Sequence, residues 1–218
     1  LRTGITEFLF DLIGQAVNRL ILEIQRQRGV LKAPQALDFF ARTPRRKQPS
    51  GEIEFTSAFA DFGTTRQEFH IGMGATATPG FIAGLSAIAS DHGSLPLTEL
   101  FAPAIQAARD GVVMNGFQSK VLSVVAPIYS ATAEARALYA GSDGRSGLLA
   151  RDDRFRNPDL ASFFERLALD GEDYFYRGDV AALIAGLSQQ HGGHIGRDDL
   201  AAYKPGTARP LSINYRGW

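Results

Sequence analysis

The chain has 218 residues, 44% of them hydrophobic and 21% charged, which is enough apolar material to bury a core and argues against disorder along its length. Lys plus Arg and Asp plus Glu number 23 each, so no global field steers nucleic acid or an anionic membrane, and the Arg45-Arg46-Lys47 run, read as a solvated loop face, lacks the interleaved aromatic residues that stack on bases. Cysteine is absent, which removes disulfide scaffolds, thiolate metal sites and thiol nucleophiles without fixing a compartment.

The chain opens on Leu1, not Met, as expected of a fragment or a processed product, from which any signal peptide would already be missing. Phe8, Leu12, Ala16, Leu20 and Ile24 recur every four residues, which predicts one long amphipathic helix from a Thr6 cap to a Gly29 stop. No apolar run approaches the roughly 18 residues that a membrane span needs. Residues 36–76 read as edge strands and long loops. Short apolar pieces at Ala36–Phe40, Ile53–Phe55 and Glu68–Ile71 are split there by Pro44, Pro49, Gly51 and Gly63.

From residue 77 to 218 the pattern predicts capped helices ending in a strand. Thr78-Pro79 offers a cap with proline at the first helical position, and Gly93 a stop. Thr98 opens the next helix, which runs to Gly111. Asn157-Pro158 repeats the cap-and-proline device, Asp179 caps a helix halted by Gly192-Gly193, and Asp198 begins a short last helix. Arg209 to Tyr215 reads as the closing strand.

Local chemistry is sparse. Gly72-Met73-Gly74-Ala75-Thr76-Ala77 imitates a dinucleotide-binding turn, but the preceding segment is polar and Phe-rich where a central parallel strand should be a continuous Val/Ile/Leu run. Asp91, at the spacing of a ribose-binding acid, falls at the end of a helix, so a small-residue turn for close backbone packing fits better. His191 and His194 on a Gly-Gly turn are an incomplete zinc set. The acidic pairs Asp152-Asp153, Glu172-Asp173 and Asp198-Asp199 fall at helix starts and turns. No Gly-x-Ser-x-Gly elbow is present. No cofactor and no metal are expected, and no Ser or Thr stands in an activated setting.

Three longer stretches carry more. The first is Ala77-Thr78-Pro79-Gly80-Phe81-Ile82-Ala83-Gly84-Leu85, with Gly93-Ser94-Leu95-Pro96-Leu97 and the Pro- and Ala-rich run Phe101 to Gly111. The second leads from Asn157-Pro158-Asp159-Leu160 to Phe175-Tyr176-Arg177-Gly178-Asp179. The third is Gly192-Gly193-His194-Ile195-Gly196-Arg197-Asp198-Asp199-Leu200-Ala201-Ala202-Tyr203, closing with Arg209-Pro210-Leu211 and Tyr215-Arg216-Gly217. Their order and spacing, over roughly Ala36 to Trp218, resemble the large-subunit region of the gamma-glutamyltransferase family; Leu1 to Gly29 does not share the resemblance.

The resemblance implies an α+β fold, the four-layer α-β-β-α sandwich of N-terminal-nucleophile hydrolases, of which this chain supplies mainly the helical large-subunit part. It further implies a precursor that cuts itself, and a C-terminal small subunit as partner, carrying the Thr nucleophile, so that no catalytic residue lies in this chain. The substrate would be a gamma-glutamyl amide such as glutathione. By the same resemblance the enzyme is periplasmic or secreted, and the composition leaves a cytoplasmic one open. The family carries Arg directly after an Asp-Phe pair, to grip the substrate carboxylate. Here Phe40 follows Asp38-Phe39, and Arg42, two residues on, is the candidate substrate-binding residue. That departure also admits an acylase acting on non-glutamyl amides such as cephalosporins. A third possibility is a non-catalytic relative in which the Leu1–Arg28 segment mediates assembly.

Overall fold

The computed structural model describes residues 36–47, 53–141, 147–211 and 213; the helix expected over Thr6–Gly29 lies outside them. Among the described residues no helix is long and apolar enough to cross a membrane. The described strands pair as three separate antiparallel couples.

β1 (Ala36–Asp38) pairs with β6 (Gly206–Ala208), so the two ends of the described chain meet, with Asp38 opposite Gly206. A closing strand falls at Gly206–Ala208, its register set by residues 36–38, while much of the expected Arg209–Tyr215 strand lies outside the described residues. β2 (Thr56–Asp61) and β3 (Arg66–Ile71) form a hairpin in which Phe59 faces Glu68. Period-two alternation turns Ala58, Ala60 and Phe69 inward and leaves Phe59 exposed. The expected Ile53–Phe55 strand does not form. Instead the Glu54 N–H donates to His191 O (3.2 Å), and Glu54 O accepts from Gly74 N (2.9 Å).

That contact explains the small-residue turn. Gly72, at φ 101°, has no room for a side chain, since a Cβ there would lie 2.6 Å from Glu54 O. Its Gly-x-Gly spacing serves close approach of two backbones, and the residues that follow form a 3₁₀ turn at Met73–Ala75.

The helices follow: α1 (Phe81–His92), α2 (Leu97–Asp110), α3 (Gly116–Val124), α4 (Ala126–Tyr129), α5 (Ala133–Leu138), α6 (Pro158–Asp170), α7 (Glu172–Tyr176), α8 (Asp179–Gln190) and α9 (Arg197–Ala201). A short ladder joins β4 (Val112–Val113) to β5 (Arg154–Phe155) between them. The Asn157 cap forms as expected, its Oδ1 accepting the Leu160 N–H at 2.9 Å, with Pro158 in the first turn. Other expected caps move. Gly80, not Thr78, precedes α1, because both backbone groups of Thr78 are taken by Arg42; Thr98 lies inside a helix opened by Pro96, and Asp179 is the first helical residue after Gly178. α9 begins one residue ahead of Asp198, with the Asp199 carboxylate accepting the Gly196 N–H.

Helices α2 and α6 pack closely because Ala104, Ala108 and Ala161 are fully buried small residues, and Phe101 stacks beside Phe164 at 5.4 Å. Arg109 and Glu165 bridge the same pair at the surface. A second cluster gathers Ala83, Tyr176, Ala181, Ile195, Leu200 and Tyr203 from and beside α1, α7, α8 and α9, and the Tyr203 hydroxyl joins it to the segment after β1.

Within that arrangement Gly84 is pressed by Phe39, whose ring Cγ would stand 2.2 Å from a Cβ. Gly84→Ala is expected to cost about 1–3 kcal/mol, since the base of the ring cannot swing aside. Gly186, with nothing within 4 Å of a Cβ, should gain up to about 1 kcal/mol as Ala. Urea midpoints of the two variants measure the difference; equal midpoints would contradict the packing.

Candidate active site

The candidate site grows from the segment that leaves β1. Asp38 turns the chain by accepting the Phe40 N–H on Oδ1 at 3.0 Å. Two residues on, Arg42 pairs with Thr78 through both backbone bonds, at 3.0 and 2.9 Å. The guanidinium carbon of Arg42 then lies 5.1 Å from the centroid of the Tyr203 ring, a cation–π distance. Thr78 Oγ1 is buried beside this bridge without a hydrogen-bond partner among the described residues.

Tyr203 holds three things at once. Its hydroxyl donates to Phe40 O at 2.8 Å, its ring stacks on Tyr176 (5.7 Å, 11° between planes), and its tip touches Gly80, where a Cβ would lie 1.8 Å away. Tyr176 completes the clamp. Its hydroxyl donates to Pro79 O at 2.8 Å and accepts from Ala83 N at 3.2 Å. Burial pushes the Tyr176 hydroxyl well above its ordinary value. Tyr203 is also raised, mainly by burial, with Arg42 pulling it down and Asp38 pushing it up. Both tyrosines are therefore neutral donors at neutral pH.

Arg42, the residue singled out from the sequence, is exposed, and Phe40 is 55% exposed. Arg45 and Arg46 belong elsewhere. The Arg45 N–H donates to Asp199 Oδ1 at 2.8 Å, and both arginines border a cavity of about 620 Å³ with Ser188, His194, Arg197 and Asp198. Arg42 is thus separated by its partners from the basic run that follows it. Tyr176 and Tyr203 were missed as site residues. Both stand in motifs visible in the sequence, the Phe-Tyr-x-Gly turn and the Asp-Leu-x-x-Tyr series, and their aromatic types were the available signal.

Two other groupings were tested for chemistry. On the exposed hairpin face the Ser57 hydroxyl donates to Glu68 Oε1, and His70 Nε2 lies 3.5 Å from the same oxygen while its ring stacks on Phe55. A nucleophile needs the imidazole between hydroxyl and carboxylate, and here the carboxylate stands between them. His191 Nδ1 approaches Glu54 Oε2 at 4.0 Å, and among the described residues no three His, Cys, Asp or Glu gather as a metal site requires.

The backbone as a whole matches the gamma-glutamyltranspeptidase of Helicobacter pylori with a TM-score of 0.72 and 22% identity, over 94% of this chain and 60% of that one. The fold is therefore that of the N-terminal-nucleophile hydrolases, an α+β class, of which these residues form a largely helical part. A model of the gamma-glutamyltranspeptidase family matches residues 35–218, and the chain belongs to that family. It is 34% identical over 144 residues to the glutathione hydrolase proenzyme of Escherichia coli, and 32% over 150 residues to that of Pseudomonas aeruginosa. Those alignments take in 66% and 67% of this chain but only 24% and 25% of the relatives, so the chain spans about a quarter of their length.

The tyrosine clamp makes a measurable claim. Tyr176→Phe strands the Pro79 carbonyl and the Ala83 N–H, and should cost about 1–3 kcal/mol in denaturant unfolding at neutral pH. A hydroxyl whose folded-state value is raised holds its proton more tightly when folded. Its stabilising effect is complete below the ordinary value of 10.0 and is lost as pH climbs above it. Unfolding free energies between about pH 9 and pH 11 should therefore fall more gently in Tyr176→Phe than in the parent. Parallel curves would contradict the assignment.

Proposed function

We propose that this chain is the large-subunit part of a self-processed enzyme that cleaves or transfers gamma-glutamyl amides, glutathione among them. The attacking hydroxyl belongs to an N-terminal Thr on a small subunit cut from the same precursor. The free α-amine of that Thr takes the hydroxyl proton, the oxygen attacks the amide carbonyl carbon, and the amine leaves with a proton, giving an acyl ester. Water or an acceptor amine then takes the acyl group and frees the Thr. The role of this chain is to hold the donor.

One observation carries the reading: an exposed guanidinium, Arg42, fixed over an aromatic ring in the segment that follows Asp38-Phe39. A free substrate carboxylate taken out of water needs a cation, and guanidinium supplies two parallel donors. Family membership supports the reaction class. A specific observation favours a second reading. Phe40, directly after Phe39, is large, apolar and 55% exposed, as suits an acylase whose acyl group carries no carboxylate at that end.

Kinetics separate the two. In the fully processed enzyme Arg42→Ala should lower kcat/KM for a gamma-glutamyl anilide by a factor worth about 2–5 kcal/mol, the scale of breaking a buried charge pair. An unchanged value sinks the carboxylate-binding role and favours the acylase. The chain expressed by itself should show no turnover above background, and mass spectrometry of the native protein should show two polypeptides. Turnover by the isolated chain would overturn the assignment of the nucleophile to a partner.

A further inference from the structure

We infer that Tyr203 is a positioning residue for substrate recognition: it sets the reach and direction of the Arg42 guanidinium, and so the preference for a donor bearing a free carboxylate. The inference rests on the proposed role of Arg42.

Arg42 has four rotatable side-chain bonds, and a free guanidinium on such a stem loses much of its binding strength to the entropy of being held in place. The Tyr203 ring restricts it. The face of the ring lies under the cation at 5.1 Å, and the Arg42 side chain is otherwise exposed. A carboxylate partner would occupy the guanidinium donors, whereas an aromatic face holds the cation without engaging them. Among the described residues Arg42 forms no ion pair, and its cation is met by the ring face.

The ring is itself enclosed. Tyr203 is 6% exposed, stacked on Tyr176, closed at its tip by Gly80, and bonded through its hydroxyl to Phe40 O. That last bond fixes the backbone two residues before Arg42, and the Thr78 bridge fixes Arg42's own backbone. Ring and backbone thus constrain the side chain from both ends. Burial also keeps the hydroxyl protonated, so no negative charge forms beside Arg42 to hold it as a rival ligand.

The test uses the processed enzyme and two donors, a gamma-glutamyl anilide and its α-carboxamide counterpart. Tyr203→Leu removes the ring from beneath Arg42. KM for the carboxylate donor should rise about three- to tenfold with kcat within about twofold, and the carboxamide should be unaffected. Tyr203→Phe keeps the ring and loses the bond to Phe40 O, so its selective rise in KM should be smaller; it decides the matter if the Leu variant fails to fold. In an Arg42→Ala background neither change should alter KM further.

Effects equal for both donors, or fully additive with Arg42→Ala, overturn the positioning role and reduce Tyr203 to packing. If Arg42→Ala itself fails to discriminate between the donors, or the enzyme turns over neither, the reading of Arg42 as carboxylate ligand falls instead. The placement of Arg42 is then judged by NMR, where its δ-protons should show an upfield ring-current shift that persists in Tyr203→Phe and disappears in Tyr203→Leu. Absence of that shift in the parent protein also overturns the inference.

Discussion

The Tyr203 side chain, through its ring and its hydroxyl together, is the constraint on which the segment from Phe40 to Arg42 depends. A carbonyl in an irregular segment packed against its neighbours must find a donor or forfeit part of the free energy of its lost hydration. Here the donor comes from just beyond the last helix, so satisfying one backbone group draws the residues after β1 onto the α7–α9 cluster. Gly80 is required by the same contact, since any side chain there would enter the space of the Tyr203 hydroxyl. Tyr176 reinforces it from below and holds the Pro79 carbonyl and the first turn of α1. What looks in sequence like a Pro-Gly helix start is a strap fastened at two points by tyrosines.

The second glycine of that stretch has a separate cause. Gly84 lies one turn after Gly80 and receives the Phe39 ring, so Phe39 is locked into α1 while Phe40 and Arg42 face outward. The Asp-Phe pair, the Pro-Gly turn, the glycine four residues later and the tyrosine after Asp-Leu are parts of one contact set. Their common purpose is to present the residues from Phe40 to Arg42 in a fixed conformation.

How much of this could be read from sequence follows from how local each interaction is. The Asn157-Pro158 cap was legible because donor and acceptor are three residues apart. Thr78-Pro79 has the same composition and failed as a cap, because a bridge to Arg42, distant in sequence, claims the Thr78 backbone. The strand at Gly206–Ala208 went unread for the same reason: β6 is defined by its pairing with Ala36–Asp38, far away in sequence. The helices between residues 116 and 138 went unread, although Asn115 and Gln118 form a reciprocal capping box at the first of them, a signal available at a spacing of three. For the site, resemblance directed attention to Arg42, but its ring partner lies far along the chain, and no periodicity announces a cation–π contact.

The pairing of β1 with β6 and the Phe40–Tyr203 bond, whose partners are 163 residues apart, also govern how the site can come into being. Closing a loop of that length carries an entropic cost of about 4.5 kcal/mol beyond a constant term, against a fraction of that for the hairpin at residues 56–71. Nothing local offsets it, for β1 is three residues long and the 38–42 segment has no regular structure to nucleate upon. The cost is offset by the α7–α9 cluster, against which the Phe40 carbonyl is held by Tyr203. The segment bearing Arg42 thus owes its conformation to contacts that local sequence cannot supply, with residues beyond position 200.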